Sequence, residues 1–475
     1  MPRRAIGRAA AFLACLWPLL GHAQLPAPVS DALGKAGVPQ EAVSVIVQSV
    51  DETGGQPLRL VTHRPDQPMN PASTMKLLTT YAGLEILGPA YRWRTEIYRN
   101  GEVVDGVLNG DLILKGYGDP ELMAQDLWLM LGRLRQAGIR EIHGDLVLDN
   151  TYFASTAPDA AAFDNEPYRA YNATPGALVS NLKATSFRFL PDTQQLRILA
   201  EPDIPQITII NQVKWSPGAC GDWKGRLSYA VANQGNRATV TFGGSYATAC
   251  GEKVLELSVL NETAYTFDLF RSIWQSLGGT LAGGMRAEAT PEKAVLVFPY
   301  ESASLSDVIR RINKYSNNLM ARQLYLTIAA EQVAIPGREP DGEKAIRAWL
   351  AGKGLQFPEL VLENGAGLSR IERISADHMA TLLQQAYDSP VMPELMSSLP
   401  VLAVDGTTRK RLKDSAAHGR AHLKTGSLEG VRAIAGYLLD QHDRRWIVVF
   451  MANHANAWAT KAAQDALLDW VYHQP

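Results

Sequence analysis

The sequence has little net charge and lacks two common hydrolase motifs. Its 475 residues carry 46 lysines and arginines against 48 aspartates and glutamates, a formal net charge of −2, without a long basic run. This balance argues against nucleic-acid binding as the main task. The chain contains no H-E-x-x-H and no G-x-S-x-G, and His418 and His422 form a pair without a third metal ligand. We therefore expect no metal, no cofactor and no serine-elbow hydrolase.

Beyond its first residues, the sequence also lacks an apolar run long enough to cross a membrane. Residues 1–23 have the pattern of a secretory signal peptide: a start with three arginines, an apolar centre over residues 9–20 and small residues at the end. The apolar centre is too short to span a bilayer comfortably. We expect an exported protein that carries no membrane span.

Cysteine is scarce, with three in the whole chain. Cys15 lies in the predicted signal peptide, which leaves Cys220 and Cys250, each followed by glycine in a turn-like segment. Two cysteines in an oxidising compartment predict a disulfide between them. Two unpaired thiols are the alternative.

The hydrophobic patterns predict an α/β protein with an inserted β-rich region. "EAVSVIVQSV" and "PLRLVTH" alternate as strands, and a helix is predicted over residues 74–87. Between residues 91 and 298 short strand patterns dominate, interrupted by the helical patterns "DLWLMLGRLRQAG" and "TAYTFDLFRSIWQSLGG". A long helical region follows, beginning with "SLSDVIRRINKYSNNLMARQLYLTIAA". "AHLKTGSLEG", "VRAIAGYLLD" and "RRWIVVFMANH" then predict an antiparallel meander before a last amphipathic helix.

A serine precedes a lysine by three positions in "NPASTMKLLTT", at Ser73 and Lys76. On a helix these positions share a face, so the lysine amine could act as the base for the serine hydroxyl. A serine before a helix is also a common N-cap. The chain holds a second copy of S-x-x-K, at Ser180 and Lys183. The motif is therefore weak evidence by itself.

Two further motifs strengthen the first one. "YSNN" places Ser316 and Asn318 inside a predicted helical segment, and "HLKTGSL" places Lys424, Thr425 and Gly426 at the start of the meander. Separately, each is compatible with an ordinary helix face or strand edge. In this order, a serine with its base, a polar pair and a cation on an edge strand are the groups that acyl transfer needs.

With these motifs the sequence resembles the class C, low-molecular-mass penicillin-binding proteins, the D-alanyl-D-alanine carboxypeptidase/endopeptidases of the S13 peptidase type. "GDLILKGYGDPEL", "NGAGLSR", "VDGTTRKRL" and "KTGSLEGVRAIAGY" look like stretches of that family. The resemblance implies a transpeptidase/β-lactamase-like domain, an antiparallel sheet flanked by helices, with two inserted β-rich domains. The implied division is a catalytic domain at 24–93 and 287–475, a second domain at 94–175 and 255–286, and a nested third domain at 176–254.

The resemblance also implies roles for the motif residues. Ser73 would be acylated with Lys76 as its base, Ser316 would pass a proton to the leaving amine, and Asn318 would hold the substrate amide and Lys76. The backbone N–H groups of Ser73 and Ser427 would form the oxyanion hole. The substrate's terminal carboxylate would be bound by the K-T-G strand, at Lys424, Thr425 and Gly426.

Some relatives read the diaminopimelate side chain of the stem peptide, and a looser match suggests residues for that task here. Glu166 would bind its ammonium, Tyr171 would form an apolar wall, and Arg370 would bind its carboxylate. Glu429 stands where relatives often have glutamine, which puts a neutral amide contact in doubt. Glu166 as a solvated loop acid is the alternative.

The implied protein is periplasmic, acts on peptidoglycan stem peptides and is covalently inhibited by β-lactams. The resemblance allows a homodimer and at most peripheral membrane association, and gives no nucleic-acid partner. Two other functions stay open from the motifs. A β-lactamase would share all three, although it lacks the large insertion, and a non-catalytic penicillin-sensing or wall-binding protein would be expected to have lost one of them.

Overall fold

The computed structural model describes residues 25–53, 56–154, 160–192 and 195–475. The predicted signal peptide, residues 1–23, lies outside these residues. None of the helices in the described ranges is both long and apolar enough to span a membrane. The α-helices are α1 (Ala27–Ala36), α2 (Lys76–Leu87), α3 (Ala124–Gln136), α4 (Trp223–Arg226), α5 (Glu262–Ser276), α6 (Leu305–Tyr315), α7 (Asn318–Gln332), α8 (Glu339–Gly352), α9 (Ala376–Tyr387), α10 (Met392–Ser398) and α11 (Lys461–Tyr472). The strands are β1 (Val43–Thr53), β2 (Gln56–His63), β3 (Arg92–Val104), β4 (Val107–Gly116), β5 (Glu141–Ile142), β6 (Leu146–Asp149), β7 (Thr185–Pro191), β8 (Leu196–Glu201), β9 (Ile207–Asn211), β10 (Lys214–Ser216), β11 (Leu227–Asn233), β12 (Ala238–Ala247), β13 (Lys253–Leu257), β14 (Thr280–Leu281), β15 (Met285–Ala287), β16 (Val295–Ser304), β17 (Ala421–Leu428), β18 (Val431–Leu439) and β19 (Arg445–Asn453).

The two ends of the chain build one five-stranded antiparallel sheet. Its strand order is β17-β18-β19-β1-β2. The meander predicted from the last three strand patterns is confirmed, since β17 pairs with β18 and β18 with β19, both antiparallel. β1 then joins β19 from the other end of the sequence. The K-T-G motif thereby lies on β17, at an edge of this sheet.

This sheet is covered by helices on both faces, which explains its apolar strands. In β19, Val448 and Phe450 pack toward the core shared with α1 and α11. The alternate residues Val449 and Met451 pack toward the core shared with α2, α6 and α7. Because successive side chains of a strand point to opposite faces, a strand buried on both sides reads as a continuous apolar run.

The inserted region forms further sheets around a separate hydrophobic core. The largest has the order β14-β5-β4-β3-β16, with β6 pairing β4 and β15 pairing β6. Two smaller sheets follow, β10-β12-β11 with β9 beside β12, and β13-β7-β8. A disulfide joins Cys220 and Cys250, the pairing predicted from the sequence. The fold is thus the predicted one, an α/β protein with an antiparallel sheet flanked by helices and an inserted β-rich region.

Candidate active site

Ser73 lies in a short 3₁₀ turn, Ala72–Met75, that leads directly into α2. Ala72 adopts a left-handed conformation (φ 46°), and its N–H donates to Asn70 Oδ1 at 2.9 Å. α2 begins at Lys76 after Met75 and has no side-chain cap. Ser73 therefore does not act as the helix cap. Its hydroxyl is left partly exposed beside the first turn of the helix.

Lys76 is fully buried, and its amine bonds three acceptors. Nζ lies 3.0 Å from Ser73 Oγ and 2.7 Å from Asn318 Oδ1, and it also donates to the Ala366 carbonyl. Burial lowers the pKa of Lys76 to about 7, although the Glu372 carboxylate acts to raise it. A lysine with a pKa near neutrality can accept a proton from a neighbouring hydroxyl.

The S-x-N motif lies at a break between two helices, which corrects the sequence-based placement inside a helical segment. α6 ends at Tyr315, and Ser316 takes a left-handed conformation (φ 58°, ψ 39°). Asn317 then caps α7 by accepting from the Met320 N–H at 3.0 Å. The break turns Ser316 and Asn318 toward the buried lysines. Helical periodicity could not reveal it, because residues 319–330 of α7 are buried on every side and their apolar pattern has no phase that a break could shift.

The K-T-G strand brings a second buried lysine to the site. Lys424 is fully buried, and its Nζ donates to Ser316 Oγ at 2.8 Å and to the Thr425 carbonyl at 3.0 Å. Burial and, secondarily, the charge of Lys76 hold the pKa of Lys424 well below its usual value. A Cβ on Gly426 would lie 2.6 Å from the Pro71 carbonyl and 3.1 Å from the Ser73 backbone nitrogen. Glycine therefore lets β17 run against the turn that carries Ser73.

Thr425 and Ser427 alternate with the buried Lys424 and Gly426 and lie on the more open face of the strand. Thr425 is half-buried, and its hydroxyl donates to Thr407 Oγ1 at 2.7 Å. Ser427 is exposed and accepts from Arg432 at 3.0 Å. Thr407 was not predicted as a site residue, although it lies in the "VDGTTRKRL" stretch that resembles the family.

A loop closed by a bridge between Val361 and Arg373 forms the remaining wall. A Cβ on Gly367 would overlap the Ala72 carbonyl, so this loop also lies directly against the Ser73 turn. Glu372, in the same loop, is fully buried, and its Oε1 accepts three backbone N–H groups. From this stretch, the sequence predicts only Arg370 as a site residue. Glu372 could have been noticed as an acid beside the "GLSR" segment, but nothing in the pattern indicates burial.

Arg370 is exposed and contacts three groups. Its guanidinium covers the Phe163 ring at 4.4 Å, lies 3.6 Å from the Glu429 carboxylate and donates to the Glu429 carbonyl at 3.2 Å. A cavity of about 240 Å³ adjoins it, lined in part by Phe163, Thr174, Arg322 and Asn364.

Glu166 and Tyr171 lie beside this cavity and do not line it. Glu166 accepts from the Tyr229 hydroxyl at 3.0 Å and lies 3.5 Å from Arg169. Tyr171 donates to Asp164 at 2.8 Å, and its carbonyl accepts from Asn318 at 3.2 Å. No hydrogen bond or ion pair among the described residues joins Glu166 to Arg370. Asp164 is a further acidic residue of this loop and was not predicted from the sequence as a site residue.

The sequence matches a known peptidase family over nearly its whole length. Residues 25–474 match the family described as D-Ala-D-Ala carboxypeptidase 3 (S13). The chain belongs to this family. The S13 resemblance inferred from the three motifs is thus confirmed, and the protein is a D,D-carboxypeptidase.

Individual relatives agree with the family. A D-alanyl-D-alanine carboxypeptidase of Actinomadura sp. (strain R39) is 30% identical over 472 aligned positions, which cover 92% of this chain and 82% of the relative. The carboxypeptidase DacB of Haemophilus influenzae is 27% identical over 80% of each chain. The crystal structure of penicillin-binding protein 4 (dacB) from H. influenzae superposes with a TM-score of 0.78 at 25% identity, covering 94% of this chain and 99% of that one.

Proposed function

We propose that this S13 enzyme cleaves D-alanyl-D-alanine peptides through an acyl-enzyme on Ser73. The observation that carries the proposal is the position of Lys76, whose buried amine lies 3.0 Å from the Ser73 hydroxyl and has a pKa of about 7. A buried amine at that pKa is partly neutral at physiological pH, so it can serve as the general base.

In the acylation step, Lys76 removes the Ser73 proton while Oγ bonds to the carbonyl carbon of the penultimate D-alanine. The negative charge that develops on the carbonyl oxygen is stabilised by the backbone N–H groups of Ser73 and Ser427. The approach of β17 to the Ser73 turn at Gly426 supports this assignment. The oxyanion hole is therefore built from the turn before α2 and from the edge strand.

Collapse of the tetrahedral intermediate breaks the C–N bond, and the leaving amine needs a proton. Ser316 delivers it, since its hydroxyl accepts from Lys424 at 2.8 Å and can be reprotonated through that lysine. Asn318 holds Lys76 through Oδ1 and is positioned to bind the substrate amide. Water then attacks the Ser73 ester and gives its proton to the Ser316–Lys424 pair, while Lys76 returns its proton to Ser73 Oγ and the shortened peptide leaves.

The outer face of β17 binds the carboxylate of the substrate's last D-alanine. Thr425 and Ser427 supply hydroxyl donors, and the charge of Lys424 lies behind them. We also propose endopeptidase activity on cross-linked peptides, in which the leaving amine belongs to a neighbouring stem, and covalent inhibition by β-lactams, which would acylate the same serine.

The side chain of the third stem residue would be read at Arg370. A bidentate guanidinium–carboxylate pair is possible with diaminopimelate and not with lysine. The acidic loop that carries Glu166 and Tyr171 would meet the ammonium end. In the free enzyme, Glu429 lies against Arg370 and would compete with the substrate carboxylate.

We propose a periplasmic location after removal of residues 1–23, with peptidoglycan as the partner and at most peripheral membrane association. We further propose a homodimer. We also propose three domains, formed by residues 24–93 with 287–475, by 94–175 with 255–286, and by 176–254.

The decisive experiment incubates the mature protein with labelled penicillin and maps the modified residue by peptide mass spectrometry. We expect one adduct per chain, on Ser73. Absence of an adduct, or an adduct on another serine, would overturn the proposed mechanism while leaving the family membership intact.

A further inference from the structure

Glu372 is a buried acid that the reaction steps above leave without a role. Its side chain is fully buried, and Oε1 accepts from the backbone N–H groups of Glu363, Asn364 and Gly365 at 3.2, 3.0 and 3.0 Å. No described residue bonds its other oxygen, Oε2. Burying a carboxylate is costly unless its charge is compensated. Burial raises the pKa of the Glu372 carboxyl, while the three backbone N–H donors and the charge of Lys76 act to lower it.

The turn that Glu372 binds is the one that contacts Lys76. Ala366 follows the three N–H donors directly, and its carbonyl accepts from Lys76 Nζ. Gly365, at φ 67°, places its carbonyl 2.6 Å from the Thr79 hydroxyl, one turn further along α2. A Cβ on Gly365 would lie 2.6 Å from the Tyr325 ring. The turn is therefore tightly packed between α2 and α7, and the Glu372 carboxylate bonds its backbone from behind.

Lys76 and Glu372 also interact electrostatically with ionisable groups on neighbouring elements. The charge of Lys76, on α2, interacts with the charge of Glu372 in the loop and with that of Lys424 on β17. Glu372 in turn faces Lys76 and the buried Tyr325 phenol of α7. Three charged residues of α8 act on Tyr325 from further away, namely Glu339, Glu343 and Arg347.

We propose that Glu372 is a positioning residue for Lys76, which holds the Ala366 carbonyl against the lysine amine and places a negative charge behind the Ser73–Lys76 pair. The inference rests on the proposed acyl-enzyme mechanism. It adds a fourth sequence segment, outside the three motifs, to the machinery that prepares Ser73.

The test is Glu372→Gln, measured by the rate of acylation by a fluorescent penicillin between pH 5 and pH 9. Glutamine keeps an oxygen acceptor for the turn and removes the charge. Since the carboxylate raises the pKa of Lys76, its loss lowers that pKa, and the neutral base persists to lower pH. The midpoint of the acid limb should move down by about 0.5 pH unit, and the plateau rate should fall about 2- to 3-fold because a less basic amine is a weaker general base.

Glu363→Gln is the matched control, because it removes the same charge from an exposed side chain of the same turn. It should leave the midpoint within about 0.2 unit of the wild type. If Glu372→Gln, folded by circular dichroism, gave a profile that coincides with those of the wild type and of this control, the inference would be overturned.

Glu372→Asp provides a second measurement if the glutamine variant does not fold. Aspartate keeps the charge but is too short to hold all three N–H groups, so the plateau should fall while the midpoint stays near the wild-type value. An unchanged plateau would contradict the positioning role. Failure of the wild type itself to be acylated at Ser73 would instead contradict the proposed function, so the two failures are distinguishable.

Discussion

The chain contains S-x-x-K twice, and the two copies fold with opposite hand. Ser73 and Lys76 lie in a right-handed turn that continues into α2, with the amine 3.0 Å from the hydroxyl. In the second copy, Asn181, Leu182 and Lys183 all have φ between 47° and 55°. No hydrogen bond among the described residues joins the side chains of Ser180 and Lys183. Ser180 instead bonds Thr266 at 2.9 Å.

The comparison shows that a serine three positions before a lysine does not by itself bring the two side chains together. Burial lowers the pKa of Lys183 as it does that of Lys76, and Lys183 also faces a carboxylate, Glu262. What differs is direction: reversing the hand of the turn sends Lys183 to the Thr174 hydroxyl, 3.1 Å away. Ser180 itself is buried, whereas Ser73 is partly open to a substrate.

The largest expected difference between the two copies is the effect of removing the serine, which in the first copy is the proposed nucleophile. Ser73→Ala should lower incorporation of labelled penicillin more than about 10³-fold, because the acyl group loses its point of attachment. Ser180→Ala should retain incorporation. Intact-mass spectrometry of both variants measures this directly. Normal labelling of Ser73→Ala, or a shift of the adduct to Ser180, would erase the distinction.

Removing the lysine of each copy should also affect the acylation rate differently, by a smaller factor than removing the serine. Lys76→Ala should slow acylation about 10²- to 10⁴-fold, the usual effect of losing a general base, and Lys183→Ala should stay within about twofold. In the wild type the rate should fall as the pH drops below about 7, because Lys76, with its pKa of about 7, becomes protonated there. A stopped-flow pH series on the three proteins tests both points. A flat profile between pH 6 and pH 8 would identify another base.

Substrate reading at Arg370 should distinguish the Ser73 region further, with an effect of about tenfold. A well-formed contact to a charged group contributes roughly 1.5–3 kcal/mol, so Arg370→Ala should remove most of a preference for diaminopimelate over lysine peptides. Competition assays of kcat/KM with the two peptides provide the measurement. Glu429→Gln, which frees Arg370 from a neighbouring carboxylate, should strengthen the preference. Penicillin acylation, which involves no such side chain, is the internal control, and equal turnover of both peptides by the wild type would argue against the pocket.

The smallest expected effect on catalysis comes from the disulfide. Replacing Cys220 and Cys250 by serine should lower the stability of the inserted region by about 3 kcal/mol, since the bond closes a loop of 30 residues. Acylation of Ser73 should change less than about twofold, because the three motifs lie outside this segment. Urea unfolding and acylation rates measured on one preparation would show it. Parallel loss of both would mean that the two regions are coupled.

Much of the fold follows from local patterns. Local patterns correctly predict the strands β1, β18 and β19 and the helices α3, α5 and α11. These patterns depend only on the period of the backbone and on which side chains are buried, so each can be recognised in a short stretch of sequence. The break at Ser316 was missed, since α7 is buried on every side and its apolar pattern shows no change of phase after the break. Asp164 was not predicted beside Glu166, because both lie in a loop whose sequence has no periodicity.

The sequence by itself determined the identities and the order of the three motifs, and with them the family. Which serine meets a lysine was decided by the tertiary structure alone. Lys76 bonds Asn318 across 242 positions of sequence, and Glu372 bonds the backbone of the turn whose Ala366 carbonyl accepts from the same amine. The second copy is held in its left-handed turn by partners from elsewhere in the chain, Leu122 and Thr266. A left-handed turn costs energy in non-glycine residues and persists only where surrounding contacts impose it. The four-residue motif S-x-x-K therefore cannot specify the hand of its own turn.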